Sequence, residues 1–370
     1  MHKYLLKDIS QIYSGSTPST SDKANYGGNI IWITPKDLSV QKCKYINKGE
    51  KNITQKGYQS CSTTILPIGT VLLSSRAPIG LLAIASSELC TNQGFKNIVP
   101  NSDLIDSDYL YYFLSTKIRE IEALGSGTTF KEVSKTSLEN YQIFIHDIYD
   151  QKKISNFLNL LDKKIELNNK INFELEQIAK EWYNYWFVQF DFPGENGRPY
   201  KSSGGKMVYN EVLKREIPDG WTNGTLSDIS NTQTGYAFKS SEWKDSGHPV
   251  LTIKAIENNS INMSEASYIE NYKEKYAKYS VNNGNIILAM TGNTIGKIGI
   301  IASDIKNILI NQRLCIYKTN YNNIAYLYFN LLSGGIQKKI WQIAQNSSQP
   351  NVSEEQLKLL PIVLPPQELI

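Results

Sequence analysis

The chain has 370 residues, 41% of them hydrophobic, so it is long enough to bury more than one core. Its net charge is only +4, and its four cysteines and three histidines do not cluster, which excludes a disulfide framework and a zinc site. No apolar run reaches the roughly 20 residues that a membrane span requires, so we expect a cytoplasmic protein without membrane contact.

Residues 1–149 are predicted to form the first domain. Short apolar stretches bounded by Gly, Pro and Asn, such as Ile30–Ile33 and Thr70–Leu73, predict strands and turns. A helical pattern follows at about 106–124. This mixture predicts a domain that contains both α-helices and β-strands.

The clearest secondary-structure signal lies over residues 150–187, where apolar residues alternate in steps of four and three and predict a coiled-coil helix. This row contains Ile154, Leu158, Leu161, Ile165, Asn168, Asn172, Leu175, Ala179, Trp182 and Trp186. The absence of Gly and Pro, together with balanced charge on the other faces, disfavours the alternative of an amphipathic helix lying on a globular core. Asn168 and Asn172 would fix the register against a partner helix.

Residues 188–220 are predicted to be a linker, because the run 191–207 is rich in Gly, Pro and Ser and is typical of an exposed connection. The second domain is predicted over 221–365. Its apolar stretches Ile286–Leu288 and Ile298–Ile301 predict strands, and a helical pattern covers about 323–343. The fold class is therefore α+β, with two mixed α/β domains separated by a long coiled-coil helix.

The second domain repeats the sequence pattern of the first, about 220 residues later. Six matches occur in the same order, which excludes chance. Leu6–Ser10 recurs as Leu226–Ser230, Gly15 as Gly235, Gly69–Gly80 as Gly284–Gly296, Asn92–Gln93 as Asn311–Gln312, Tyr109–Phe113 as Tyr326–Asn330, and Val133–Ser134 as Val352–Ser353.

Residues 182–221, WYNYWFVQFDFPGENGRPYKSSGGKMVYNEVLKREIPDGW, resemble a junction in the specificity subunits (HsdS) of type I restriction-modification systems. In that family the junction joins the first helical region to the second target-recognition domain. Residues 236–253 are similar to the opening of such a domain, and residues 360–367 resemble the start of a second helical region. The resemblance covers the whole chain.

The resemblance implies that the two domains read the halves of a bipartite target in double-stranded DNA, and that the helix sets the gap between them. At about 1.5 Å per residue the helix would span roughly 57 Å, or about one and a half turns of duplex. The implied partners are adenine-specific methyltransferase (modification) subunits and a restriction subunit that translocates DNA. S-adenosylmethionine, ATP and magnesium would bind those partners, so no cofactor is expected in this chain.

The repeat also predicts how the chain ends. Because Pro366–Gln367 corresponds to Asp150–Gln151, residues 366–370 are expected to be the truncated start of the second helical region. The seam of the first helix would then be exposed and could pair with a second copy of the chain. This partner-helix seam consists of Leu158, Leu161, Ile165, Asn168, Asn172 and Leu175.

The sequence lacks the Asn/Asp-Pro-Pro-aromatic tetrapeptide with which adenine methyltransferases hold a flipped base. Gly292–Lys297 departs from a phosphate loop in glycine spacing and in its lack of Ser or Thr after the lysine. Asp228, Glu242 and Lys244 match a nuclease pattern only loosely. We therefore expect no catalysis, while a self-contained enzyme and a coiled-coil scaffold that binds no DNA remain the alternatives.

Base reading calls for Arg, Lys, Asn and Gln on loops that reach a groove. In the first domain the predicted DNA-binding residues are Ser16, Thr17, Lys36, Ser75, Arg76, Asn92, Gln93, Thr128, Thr129 and Lys131. In the second they are Tyr236, Phe238, Lys239, Lys254, Thr291, Asn293, Lys297, Gln312, Arg313, Ser348 and Asn351. A turn-forming or surface role is the alternative for each. Since Arg76 corresponds to Thr291 and Phe130 to Pro350, we expect the two half-sites to differ.

Overall fold

The computed structural model describes residues 1–41, 43–126, 131–194, 197–345 and 350–370. Contacts divide the chain into two units, Met1–Phe173 and Glu174–Ile370. Within the described ranges, no helix is both long enough and apolar enough to cross a membrane.

The first unit contains two principal sheets, one of five strands in the order β2-β9-β6-β7-β4 and one of three in the order β5-β3-β8. Strands β1 and β10 form a separate antiparallel pair. The strands are β1 (His2–Leu5), β2 (Ser10–Ser14), β3 (Tyr26–Ile33), β4 (Tyr45–Ile46), β5 (Lys51–Ile53), β6 (Val71–Ser75), β7 (Ile79–Ala85), β8 (Cys90–Thr91), β9 (Phe95–Pro100) and β10 (Gln142–Ile145).

Helices cover one face of the five-stranded sheet. Val71 and Leu73 of β6 face a core that includes Leu110 and Ile121. Leu72, between them, packs into a different core on the opposite face. Side chains alternate between the two faces of a strand, and both faces of β6 are buried. The short helices of this unit are α1 (Leu6–Ile9), α2 (Pro35–Val40), α3 (Gln55–Gln59), α4 (Ser107–Thr116), α5 (Ile118–Ala123) and α6 (Lys135–Glu139).

The predicted long helix is confirmed as α7 (Ile148–Tyr183), which continues into a π-helical turn, Asn184–Val188. Polar contacts hold its first part to the first domain. The Tyr112 hydroxyl donates a hydrogen bond to the Asp162 carboxylate at 2.5 Å and lies 2.8 Å from the Asn159 side-chain oxygen. Lys44, almost fully buried, also bonds to Asn159 and forms an ion pair with Asp108 at 2.7 Å.

In the middle of α7, every residue from 161 to 175 is exposed to solvent. Of the predicted seam, Leu158 is half-buried, whereas Leu161, Ile165, Asn168, Asn172 and Leu175 are exposed. A second apolar row lies beside the seam and contains Phe157, Ile171 and Ile178, all exposed. The helix therefore presents an apolar face wider than a two-stranded seam requires.

The second unit has a six-stranded sheet, β14-β24-β21-β22-β18-β17, and a five-stranded sheet, β15-β19-β16-β23-β20. Strand β11 pairs with β12, and β13 with β25. The strands are β11 (Met207–Asn210), β12 (Arg215–Pro218), β13 (Thr222–Thr225), β14 (Asn231–Thr234), β15 (Trp243–Lys244), β16 (His248–Leu251), β17 (Ile256–Glu257), β18 (Ser260–Ile261), β19 (Ser267–Ile269), β20 (Ser280–Val281), β21 (Ile286–Ala289), β22 (Ile298–Ile300), β23 (Ile308–Ile310), β24 (Leu314–Lys318) and β25 (Pro361–Leu364).

The end of α7 belongs to the core of the second unit. Tyr183 is buried there, with ring centroids 5.9 Å from Tyr326 and 5.6 Å from Phe329. The Tyr328 hydroxyl donates a hydrogen bond to Glu176 at 2.8 Å. The short helices of this unit are α8 (Leu226–Ile229), α9 (Ile324–Leu332), α10 (Gly334–Ala344) and α11 (Glu354–Lys358), and Gln367–Leu369 form a 3-10 turn.

The repeat seen in the sequence is a repeat of structure. Asp8 and Asp228 each cap a single helical turn by accepting the backbone N–H three residues earlier, at 2.9 and 2.6 Å. Ser10 and Ser230 each donate to the leucine carbonyl four residues earlier. The shared Leu-x-Asp-Ile-Ser motif therefore builds the same turn between the first two strands of each domain.

The connection predicted over 188–220 is more ordered than its Gly, Pro and Ser content indicates. Phe190, Phe192, Ile217 and Trp221 form a buried cluster, and β11 and β12 form a hairpin. Asp191 accepts hydrogen bonds from the Ser202 backbone at 2.7 Å and from the Ser202 hydroxyl at 2.6 Å. Aromatic side chains spaced through the run supply a small core that a count of turn-forming residues does not register.

Candidate DNA interface

A large cleft of about 1060 Å³ opens on the second unit, and it gathers residues from three predicted loops. Among the residues that line it are the predicted Thr291, Asn293, Gln312, Arg313 and Asn351. Hydroxyl, amide and guanidinium groups therefore converge on one concave surface. These are the side-chain types that read base edges.

Backbone hydrogen bonds hold the walls of the large cleft. On one wall, the Gly292 N–H donates to the Pro350 carbonyl at 3.1 Å and the Val352 N–H to the Met290 carbonyl at 3.0 Å. On the other, the Asn311 side chain accepts the Arg313 N–H at 3.1 Å and closes the turn between β23 and β24. Strands thus fix both loops, while the tips of Gln312 and Arg313 stay exposed.

Glu354 also lines the large cleft, but its carboxylate is occupied by internal contacts. It accepts hydrogen bonds from the Thr234 backbone and hydroxyl at 2.8 and 2.9 Å, and it pairs with Lys358 at 3.0 Å. Burial raises the pKa of Glu354, yet Lys358 and the threonine bonds outweigh burial and hold the pKa below its usual range. Among the described residues, Arg313 has no carboxylate partner, so its charge is available to a ligand.

A close approach of two backbone segments sets the position of the reading loops. Any Cβ at Gly235 would overlap the carbonyl oxygens of Ile310 and Asn311. In the first unit, a Cβ at Gly15 would overlap those of Thr91 and Asn92. Glycine is therefore required at this repeated position because only hydrogen fits there.

The other predicted residues of the second domain lie around the large cleft or away from it. Tyr236 is bound to the cleft loop, since the Gln312 N–H donates to its carbonyl at 3.0 Å. Phe238 is buried in an aromatic cluster and does not reach solvent as a ligand group would. Lys254 follows Ile253 of the cleft wall, and Lys239 and Lys297 are exposed outside the lining; Ser348 lies outside the described residues.

In the first domain, the corresponding loops carry paired charges. Glu132 lies 3.7 Å from Arg76 and 3.0 Å from Lys96, and Lys96 is almost fully buried. Ser75 is buried too, with its hydroxyl 3.4 Å from the Lys96 ammonium. Arg76 is half-exposed beside this group, so Glu132 holds the arginine where the loop meets solvent.

The remaining predicted residues of the first domain form a second group of contacts. Thr17 is hydrogen-bonded to Gln93, and the Asn92 side chain accepts the Gly94 N–H at 2.9 Å. The Ser16 N–H donates to the Thr91 carbonyl at 3.0 Å. Lys36 pairs with Glu50 at 2.7 Å on the surface, Lys131 is exposed, and Thr128 and Thr129 lie outside the described residues.

The prediction from sequence missed Lys96, Glu132 and Glu354. Lys96 and Glu132 are 36 residues apart and meet only through the fold. Their positions correspond to Cys315 and Asn351 in the second domain, so the repeat gave no signal for them. In the part of the chain that the structure describes, no group of three or more His, Cys, Asp or Glu side chains is placed to hold a metal ion.

Comparison with known proteins gives consistent matches. The family model described as "Type I restriction modification DNA specificity domain" matches residues 1–177 and 218–369. The chain is 33% identical to the "Type I restriction enzyme MjaIX specificity subunit" of Methanocaldococcus jannaschii over an alignment of 370 positions, which covers 99% of this chain and 83% of that protein. It is 32% identical over 143 residues to the HindI specificity subunit of Haemophilus influenzae, covering 38% of this chain and 31% of that protein.

Among solved structures, the fold matches the type I restriction-modification S subunit from M. genitalium with a TM-score of 0.54 and 16% identity. The match covers 100% of this chain and 86% of the other. At this identity the likeness concerns the fold, and it agrees with two mixed α/β domains and a long helix.

Proposed function

The chain belongs to the family of type I restriction-modification DNA specificity subunits, and we propose that each of its two domains reads one half of a bipartite DNA target. The resemblance predicted from residues 182–221 and the predicted fold class are both confirmed. As a specificity subunit, the chain recognises DNA and leaves catalysis to its partners.

The large cleft is the single observation that carries this proposal. It collects amides, hydroxyls and an arginine that has no carboxylate partner among the described residues. Such side chains supply the donors and acceptors that distinguish base pairs in the major groove, where Arg binds guanine and Asn or Gln binds adenine. The alternative of a self-contained methyltransferase is disfavoured because the sequence lacks the Asn/Asp-Pro-Pro-aromatic tetrapeptide of those enzymes.

The two domains should read different bases because their charges are arranged differently. Arg313 has no carboxylate partner among the residues that the structure describes, whereas Arg76 lies beside Glu132 and would have to exchange that contact for a base. The corresponding loop of the second domain carries Thr291 and Asn293 instead of an arginine. We propose that the two half-sites are unrelated in sequence, so that the complete target is not a palindrome.

We propose that α7 is both the spacer between the two readers and a docking surface for methyltransferase and restriction subunits. Its two parts are held by side chains of the adjoining domains, Tyr112 on one side and Tyr326 on the other. Its middle offers exposed apolar residues that water does not favour. S-adenosylmethionine and ATP would then bind to those partner subunits.

Replacing Arg313 with Ala is expected to relax the target at one base pair of one half-site. Losing a bidentate guanine contact removes about 1–3 kcal/mol of discrimination, or about five- to 150-fold. The measurement is sequencing of methylated adenines after co-expression with the modification subunit. Arg198→Ala is the matched control, because Arg198 is exposed in the same unit but lies outside the large cleft.

An unchanged target for the Arg313 variant would remove this residue from base reading. Relaxation of both half-sites would contradict the assignment of one half to each domain. Methylation or cleavage by the purified chain alone, with S-adenosylmethionine and magnesium, would favour the alternative of a self-contained enzyme.

We also propose that the seam of α7 pairs with a second copy when no other helix covers it. Leu161 and Ile165 are exposed at 45% and 58%, and paired helices would bury both. Leu161→Glu combined with Ile165→Glu is expected to give a monomer by light scattering at concentrations where the unaltered chain is a dimer. Leu160→Glu, at 65% exposure and off the seam, is the control; a monomeric unaltered chain at high concentration would rule out this pairing.

A further inference from the structure

Residues 272–279 of the second domain, YKEKYAKY, alternate lysines and tyrosines in a way that the first domain does not repeat. Residues Glu274–Tyr279 form a 3-10 helix. Together with one tyrosine from the cleft side they form a surface that we call the lysine-tyrosine patch. It consists of Tyr236, Lys273, Lys275, Tyr276, Lys278 and Tyr279.

The rings of the lysine-tyrosine patch form a rigid base. Tyr276 is almost fully buried, and its hydroxyl donates to Glu242 at 3.1 Å. The Tyr236 ring lies 4.9 Å from the Tyr276 ring and 5.2 Å from the Tyr279 ring, both in edge-to-face geometry. These contacts fix the backbone from which the lysines extend.

The three lysines are exposed, and none forms an ion pair within the described residues. The Lys275 ammonium lies 5.1 Å from the Tyr276 ring centre and 3.4 Å from the Tyr236 hydroxyl. The Lys278 ammonium lies 4.9 Å from the Tyr279 ring centre. Aromatic faces position these cations without neutralising them, whereas a carboxylate would cancel their charge.

The lysine of the short helix α3 in the first domain is engaged differently. Lys56 pairs with Asp22 at 2.8 Å. Beside its three lysines the patch has Glu274 in its own segment and Glu242, whose pKa is lowered by the hydrogen bond from the Lys239 backbone and further by the charges of Lys273 and Lys275. The three lysines therefore outnumber the two carboxylates at this place.

The lysine-tyrosine patch is continuous with the large cleft. Tyr236 donates its N–H to the Ile310 carbonyl at 2.9 Å and accepts the Gln312 N–H at 3.0 Å. Gln312 lines the large cleft. A duplex whose bases enter the cleft would carry its phosphate backbone along the border where this patch lies.

We propose that Lys273, Lys275 and Lys278 bind the DNA phosphate backbone beside the second half-site and thereby contribute affinity that does not depend on base sequence. This inference rests on the proposed function, because it takes the large cleft to be the base-reading surface. The tyrosines position the ammonium groups of Lys275 and Lys278, and the DNA phosphates supply the anions that pair with the three lysines.

The test combines Lys273→Gln, Lys275→Gln and Lys278→Gln in the full chain, with binding to a duplex of unrelated sequence measured by fluorescence anisotropy over a series of KCl concentrations. Each phosphate contact contributes roughly 0.9 to the slope of log affinity against log salt, so the slope should fall by about 2 to 3. The triple Lys→Arg variant should keep the slope of the unaltered chain. The bases methylated in cells should be unchanged.

The charge-matched control replaces Lys201, Lys214 and Lys338, which are exposed in the same unit and outside the patch, with Gln. An equal fall in slope for this control, or no fall for the patch variant, would overturn the proposal for the patch. If Arg313→Ala still relaxed the target in that case, the proposed function would stand. A normal slope with lost co-purification of the modification subunit would instead make the patch a protein-docking surface. A normal slope for the patch variant together with no effect of Arg313→Ala would contradict both the proposal for the patch and the proposed function of the large cleft.

Discussion

Inserting four residues into the exposed middle of α7, after Lys170, is expected to lengthen the gap in the methylated target by one or two base pairs. Four residues add about 6 Å and about 40° of right-handed rotation to a helix. Two base pairs add roughly 7 Å and roughly 70° in the same sense. The four added residues and the added base pairs therefore increase length and rotation in the same direction. Each domain should still reach its half-site, so the bases recognised in both half-sites should not change.

A seven-residue insertion at the same place tests whether the length and rotation of α7 set the gap, or whether the protein simply tolerates insertions there. It adds about 10 Å but rotates the helix by about −20°, whereas three base pairs rotate the duplex by roughly 100°. Because the second domain would then face away from its half-site, methylation should be lost. Seven residues inserted after Ser203, in an exposed loop, should leave the gap unchanged; an unaltered gap in the four-residue variant would show that α7 does not set it.

Gly235→Ala is expected to destabilise the second unit by about 1–3 kcal/mol and to abolish recognition of one half-site. The new methyl group would overlap two carbonyl oxygens that belong to β23 and the turn after it. Backbone cannot move there without displacing Gln312 and Arg313. Thermal unfolding and sequencing of methylated adenines would measure the two effects.

Gly335→Ala provides the control for this substitution. A Cβ at Gly335 meets nothing within 4 Å, and the residue lies in α10, where Ala is at least as favourable as Gly. Normal methylation by the Gly235 variant would show that the loops do not depend on this close approach. The same substitution at Gly15 should affect the other half-site.

Sequence alone predicted the features that depend on local pattern. The apolar spacing from Ile154 onward predicted α7, and the repeated Leu-x-Asp-Ile-Ser motif indicated a repeat, which the structure shows as the same helical turn in α1 and α8. Both patterns act within a few residues, so no knowledge of long-range contacts is needed. The repeat then placed Thr291, Gln312 and Asn351 in corresponding loops, and the structure brings these three to one cleft.

Features that depend on distant residues were not predictable. Glu132 meets Arg76 and Lys96 only after β6 and β9 pair, and Phe190 meets Trp221 only after the hairpin forms. Ser75 and Phe238 looked accessible because each adjoins charged or polar residues, yet each is buried. Side-chain direction at the end of a strand decides such cases, and a single sequence does not reveal it.

The pairing of the first strand with the last has a consequence for inheritance. In each domain these strands are antiparallel, His2 opposite Ile145 and Thr222 opposite Leu364, so the chain enters and leaves at one place. A gene segment that encodes a whole domain can therefore be exchanged without altering the helix, because the two ends of the exchanged segment lie next to each other in the folded domain. New target sequences can then arise in one recombination event, whereas point mutation would have to rebuild each reading loop separately.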